Sequence, residues 1–359
     1  MRYLAVLIAL TAIVALSALP YSAVQRETVA VASDLPLVDF HEHLLGRMSA
    51  DELIRVMNES GISRMVLMPN GLGGHSSREP SGRGRGGRGG GDAPDVATDE
   101  QARMYSERYP GRFIPFVSLM VRAIREERER WLHPDRPTLD FVRQVEAKLA
   151  TGTFYGMGEL IARHYGYTNP DGGTLPDFDN PVDSPLVHKL VDLAERYHVV
   201  MDIHAEGEAA VVDAMGRVLA AHPAATIVWA HNCGRSSASK IRELLQRYPN
   251  LLCDLGAMAG TFGYVNGETC PHCTRAEPWS TPIEDGQGHL VSEMKEVFEA
   301  FADRFVGIGM DAVHYEQWRR YANHVGRFRR LLSQLSPSAA EKIAHENAER
   351  LFHLPPLRP

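Results

Sequence analysis

One alternation limits what this chain can fold into more than any other feature. From Leu37 onward, short apolar runs recur at 37–43, 64–69, 113–119, 154–160, 199–204, 226–231, 251–255 and 305–310, each followed by a longer polar or amphipathic segment. Several runs are apolar on both faces, as strands buried inside a parallel sheet must be. The segments between them, such as 51–60, 184–197, 206–221, 236–248 and 290–303, have helical periodicity, with Ser184 and Ser236 placed as N-caps. Gly61, Gly111, Gly152, Pro223 and Asn250 stand just before strands, where the chain must reverse. Eight strand-helix units in succession predict a (β/α)8 TIM barrel rather than a doubly wound sheet.

A length of 359 residues would by itself suggest about two domains. The barrel reading makes it one, over residues 33–359, with long loops and a separate N-terminal segment. Residues 1–32 carry Arg2, an uncharged apolar run from Leu4 to Leu19, and small residues around Ala23 and Ala30-Val31-Ala32. That is the layout of a cleavable signal peptide, the alternative being an uncleaved membrane anchor. Either makes the domain exported, periplasmic or extracellular. A Gly/Arg-rich stretch at 71–92, after the second strand, cannot pack and is expected to be a flexible loop. It reads as a tolerated insertion, or as a lid whose Arg83, Arg85 and Arg88 attract an anion. The formal net charge of -7 argues against a phosphate-binding surface, so the expected partner is a small-molecule substrate and not nucleic acid. A homodimer is compatible with the chain.

The composition is unusual in one respect, 16 histidines against four cysteines. His41 and His43 close the first strand, and side chains two apart on a strand share a face. Chance alone would supply about 0.7 such His-x-His pairs, so the pair matters because of its position. Glu159, His204, His231 and Asp311 follow the fourth, fifth, sixth and eighth apolar runs. Ionisable groups directly after buried strands are costly unless paired or bound to metal. In a barrel all six converge on one mouth, and together they point to a metal site. Gly307 and Gly309 are expected to leave room beneath Asp311. Arg47, Arg163, His164 and His314 lie near strand ends and are candidate substrate contacts, the two arginines for a carboxylate. Cys270 and Cys273 are expected to form a local disulfide or a metal clamp, with Cys233 and Cys253 as small apolar residues.

The pieces VDFHEHL, MDIHAEG, IVWAHNCG, VGIGMDA and KIAHENAERLFHL, in that order, resemble the amidohydrolase superfamily of metal-dependent barrel hydrolases. They are most similar to its amidohydrolase-2 branch, which includes aminocarboxymuconate-semialdehyde decarboxylase-like enzymes. The resemblance implies that His41, His43, His204 and Asp311 bind one divalent ion, commonly zinc, and that His231 acts beside it. Two departures stand out. Gly309-Met310-Asp311 replaces the branch's Gly-Ser-Asp-like motif, and Glu159 resembles the fourth-strand carboxylate that bridges two metals in binuclear relatives.

The expected activity is hydrolysis of an amide, ester or lactone in a small molecule, with water activated by the metal. Asp311 would take and pass on its proton, and His231 would stabilise the oxyanion. Non-oxidative decarboxylation of a small aromatic or unsaturated acid is the alternative on the same scaffold. A non-catalytic binding barrel is the third reading.

Overall fold

The computed structural model describes residues 35–70, 97–168, 174–175, 177–258, 280–285, 287–313 and 315–357. The N-terminal segment 1–32, the insertion 71–92, the Cys270/Cys273 pair and His314 lie outside them. Within them, eight parallel strands form the barrel: β1 Leu37–Leu44, β2 Ile62–Pro69, β3 Phe113–Ser118, β4 Gly156–His164, β5 Val200–Ala205, β6 Thr226–Trp229, β7 Leu251–Gly256 and β8 Phe305–Gly309. Neighbours pair in chain order, and β1 pairs β8, so the sheet closes on itself. A short strand, Phe178–Asp179, adds antiparallel to the end of β4.

One principal helix follows each strand: α1 Ala50–Ser60, α2 Asp99–Arg108, α3 Arg136–Leu149, α4 Pro185–Tyr197, α5 Ala209–Ala221, α6 Ala238–Arg247, α7 Ser292–Ala300 and α8 Tyr321–Leu332. Their starts follow from local chemistry. Ser49 and Glu52 form a reciprocal capping box on α1, and Ser184 caps α4 ahead of Pro185 at its first turn. On α6 the cap is Ser237 and not Ser236, because Ser237 accepts from Lys240 N.

Two apolar layers hold the barrel. The larger fills the space between strands and helices. The smaller lies inside the strands and joins Val38, Phe40, Val66, Ile114, Phe116, Val228 and Val306 to Phe352 of the C-terminal segment. Phe40 stacks on Phe352 at 5.8 Å and meets Phe116 edge-on at 6.0 Å. This aromatic plug fills the barrel interior below the strand ends that carry the polar residues.

Simple alternation along the strands fails where it matters. Pairing between β1 and β2 runs Asp39 to Met65 and then Glu42 to Leu67, so β1 holds one extra residue. The same excess occurs in β4 between Met157 and Leu160, and in β8 opposite Cys253–Leu255. Each is a bulge that re-aims side chains. In β1 it lets Phe40 join the plug while His41 and His43 both turn to the site. Gly307 and Gly309 make room for β1 rather than for Asp311, a correction to the sequence expectation. A Cβ on Gly307 would lie 2.7 Å from Val38 O, and one on Gly309 would lie 2.6 Å from His41 Cβ.

Candidate metal centre

His41 and His43 do not form a cluster separate from His204, His231 and Asp311, because one carboxylate, Glu159, reaches four imidazoles.

 Glu159 Oε1 lies 2.8 Å from His204 Nδ1, 3.2 Å from His231 Nε2 and 3.6 Å from His41 Nε2, while Oε2 lies 3.5 Å from His43 Nε2. Asp311 Oδ1 completes the group, 3.2 Å from His43 Nε2 and 3.8 Å from His41 Nε2. The six residues expected to converge therefore do so. The four histidines and Glu159 are buried, whereas the Asp311 side chain is 21% exposed.

Their positions along the elements differ from the sequence expectation. Glu159 sits in the middle of β4, which continues to His164, rather than at its end. β6 stops at Trp229, and His231 opens a left-handed turn in which His231, Asn232, Cys233, Gly234 and Arg235 all have positive φ. Such a turn is disfavoured for non-glycine residues by about 1–2 kcal/mol each, so tertiary contacts must hold it. His231 N donates to Asp254 Oδ1, Trp229 packs under Gly234, and Cys233 is joined to Cys253 of β7 by a disulfide. The reading of Cys233 and Cys253 as small apolar residues is thus corrected. Sequence separation concealed their pairing, which follows from β6 and β7 being neighbours.

The surrounding shell fixes which ring nitrogens point inward. A carbonyl or an ionised carboxylate can only accept a hydrogen bond. His231 Nδ1 therefore donates to Gly256 O at 2.9 Å, and His41 Nδ1 donates to Asp254 Oδ2 at 3.0 Å. That leaves the Nε2 of each ring facing the cluster, the arrangement by which carboxylates orient metal-bound histidines. Glu42 acts on the opposite side: its two oxygens accept from Met310 N and Ala312 N, clamping the backbone on either side of Asp311. Asp311 N in turn donates to His41 O, and Asp311 takes a left-handed φ of 53°. Asp39 accepts from His41 N and from the Tyr321 hydroxyl of α8.

Charge within the cluster is strongly redistributed. Burial opposes ionisation of Glu159, yet the charge and hydrogen bond of His204, with the other imidazoles close by, hold it well below the usual carboxylate range. Burial likewise opposes protonation of His204, but Glu159 and Glu206 raise it to about 9. His43 also reaches about 9 against burial, through Asp311 and Glu159. Asp311 falls to about 2 against burial, through His43 and the charge of His41. His231 is lowered by burial and by Arg235 and His204, so its ring is neutral. Asp202 is pushed well above its ordinary value, chiefly by burial.

These residues fit a divalent ion. His41 Nε2 and His43 Nε2 are buried without a hydrogen bond of acceptable geometry. Ligands held at 2.0–2.2 Å in a tetrahedron stand about 3.3–3.6 Å apart, close to the separations seen here. Three groups of mutually close donors emerge in the barrel, His41–His43–Asp311, Glu159–His204–His231 and His41–His231–Asp254, and Glu159 also reaches the first.

The four tentative substrate contacts fare unequally. His164, the last residue of β4, is buried with its ring 5.1 Å from that of His204, and burial followed by the His204 charge lowers it to about 3. Arg163 is turned elsewhere: it donates to Glu208 Oε1 at 2.7 Å and to Phe178 O at 3.0 Å, and stacks on Tyr165. Arg47 is exposed beyond β1, its backbone N–H bonded to the Tyr315 hydroxyl. His314 lies outside the described residues. Sequence reasoning passed over Asp202 and Asp254, although each is a carboxylate inside an apolar strand, in VMDIHA and LLCDLG. It also passed over Glu42, Glu206 and Arg235, whose Nη1 donates to Glu206 Oε1 at 2.6 Å.

A closed barrel with buried imidazoles and carboxylates gathered at one mouth places the molecule among the metal-assisted barrel enzymes. The profile of the amidohydrolase family matches residues 38–354, and the chain belongs to that family, whose members are metal-dependent enzymes. Among solved structures, an uncharacterised TIM-barrel protein from Bordetella bronchiseptica is similar at 16% identity and a TM-score of 0.53, over 89% of this chain and 99% of that one. The 2,6-dihydroxybenzoate decarboxylase from Rhizobium gives 13% and 0.48, over 89% and 99%. Dihydroorotase from Saccharomyces cerevisiae gives 14% and 0.48, over 89% and 85%. The first of these likenesses supports the fold. No curated protein matches the chain significantly.

Proposed function

We propose that this protein is a metal-dependent hydrolase that cleaves an amide, ester or lactone bond in a small molecule. The reading rests on Asp311, the one partly exposed carboxylate of the cluster, which stands on the donor group formed with His41 and His43. A divalent cation, with zinc the expected ion, would supply Lewis acidity to a carbonyl oxygen and lower the pKa of water toward ~7. His41, His43 and Asp311 would hold it. Glu159, with His204 and His231, offers a second position, and its two oxygens face both groups. Asp311 accepts the proton of the attacking water and returns it to the leaving group. His231, neutral and fixed by its Nδ1–H bond to Gly256 O, turns the Nε2 lone pair toward the second position, as a ligand and not as a donor to the reacting carbonyl.

Decarboxylation of a small carboxylic acid is the second reading, favoured by one observation: Arg47 is exposed beyond β1, where it could meet a substrate carboxylate. Against it, Arg163 and Arg235 are each engaged with a carboxylate of the protein itself. Metal analysis of protein purified without chelator, followed by a panel of lactones, esters, amides and aromatic acids in 18O-labelled water, tests both. Label entering the product acid supports hydrolysis. Carbon dioxide released without label uptake supports decarboxylation, and less than about half an equivalent of bound metal removes both readings.

A further inference from the structure

A second group of metal-ligating side chains lies in the outer helical layer, on α4 and at the end of α5. His188, Asp192 and Glu195 project from one stretch of α4, and His222 is the C-cap of α5. His222 Nδ1 stands 3.6 Å from Asp192 Oδ1 and 3.6 Å from Glu195 Oε2, and the three donor atoms lie within 4.8 Å of one another. These separations exceed a hydrogen bond and match the edge of a tetrahedron of ligands held at about 2.2 Å.

The other face of His222 explains why Nδ1 points there. Asp183 Oδ1 lies 2.8 Å from His188 Nε2, and His188 Nδ1 lies 2.7 Å from His222 Nε2. Asp183 is held ionised by Arg217 and His188 against its partial burial, so it can only accept, and His188 Nε2 carries the hydrogen. His188 Nδ1 in turn holds His222 Nε2, which turns the other ring nitrogen of His222, Nδ1, toward Asp192 and Glu195. His222 Nδ1 thus faces two carboxylate oxygens at once, a donor set that suits a zinc-class ion. The His222 side chain is 91% buried, whereas Asp192 and Glu195 are 57% and 27% exposed, so the group opens to solvent on its carboxylate side.

We propose that Asp192, Glu195 and His222 form a divalent-cation site of the zinc class, oriented by the Asp183–His188 relay and independent of the barrel centre. The relay is the carboxylate–histidine device by which outer groups fix a ligating imidazole, extended by one ring. A bound ion would tie the last turns of α4 to the end of α5.

The test uses the full chain with its barrel centre already loaded with zinc and excess metal dialysed away. Titration with Co2+, followed by calorimetry and visible absorption, should show wild type binding one equivalent more than an Asp192→Asn/Glu195→Gln variant. Asp192 and Glu195 are partly exposed at the surface, so the variant should fold, with an unfolding midpoint in chelator equal to that of wild type. His222→Ala should lose the same equivalent, and Asp183→Asn should weaken it about 10–100-fold. Equal uptake by wild type and the double variant overturns the site. Asp183→Asn binding Co2+ as wild type does would also overturn it, since the ion would then be held by surface charge and not by an oriented ring.

Discussion

At the scale of single residues, the cluster separates groups that would touch the ion or substrate from groups that aim them. Asp311 belongs to the first kind. Asp311→Asn should lower turnover by about 10²–10⁴-fold, the range for loss of a positioned acid–base group, in steady-state assays on whichever substrate the panel identifies. Glu42 belongs to the second, because it bonds the amides on both sides of Asp311 without reaching the centre. Glu42→Gln should weaken metal binding about 10–100-fold in competition with a chelator while the fold persists. His43 and His204 set a pH dependence in the metal-free protein. Both are raised to about 9 from an unfolded value near 6.5, so the folded state binds their protons more tightly. The stability they contribute is complete below about pH 6.5 and is lost as pH rises through about 9. Unfolding midpoints of chelated protein should fall over that window, and metal, which displaces those protons, should flatten the profile. The histidines themselves were legible from the strands they follow. Their aiming partners were not, since Asp254 and Glu42 meet their targets on strands far away in sequence.

At the scale of elements, three bulges and one left-handed turn carry the site. A hydrophobic pattern locates a strand well, because burial on both faces demands a continuous apolar run. It does not reveal an inserted residue, whose presence depends on how the neighbouring strand pairs. Hence Phe40 and His41 can both face inward although they are adjacent. The turn at Ala230–Arg235 was hidden for a related reason: positive φ at His231, Asn232 and Cys233 runs against local preference and is held by Asp254 and the disulfide. With 20 residues separating Cys233 and Cys253, removing that link should lower stability by about 3 kcal/mol. Denaturant unfolding of a Cys233→Ser/Cys253→Ser variant measures this. An unchanged midpoint would show that Asp254 holds the turn without the disulfide.

For the whole molecule, closure of the sheet and the aromatic plug are what bring distant strand ends together. Phe352 comes from the far end of the chain and stacks on Phe40, one residue from His41. Phe352→Ala should destabilise the protein by about 3–5 kcal/mol in urea unfolding, the usual loss for a buried phenylalanine. Among the described residues, no helix is long and apolar enough to cross a membrane. The order of apolar runs was enough to define eight strands, one barrel and the strand ends at which ionisable groups gather, because burial and periodicity act locally along the chain. Which oxygen of Glu159 meets which imidazole, the pairing of Cys233 with Cys253, and the diversion of Arg163 to Glu208 depended on distances between segments far apart in sequence. Those distances exist only once the barrel has closed.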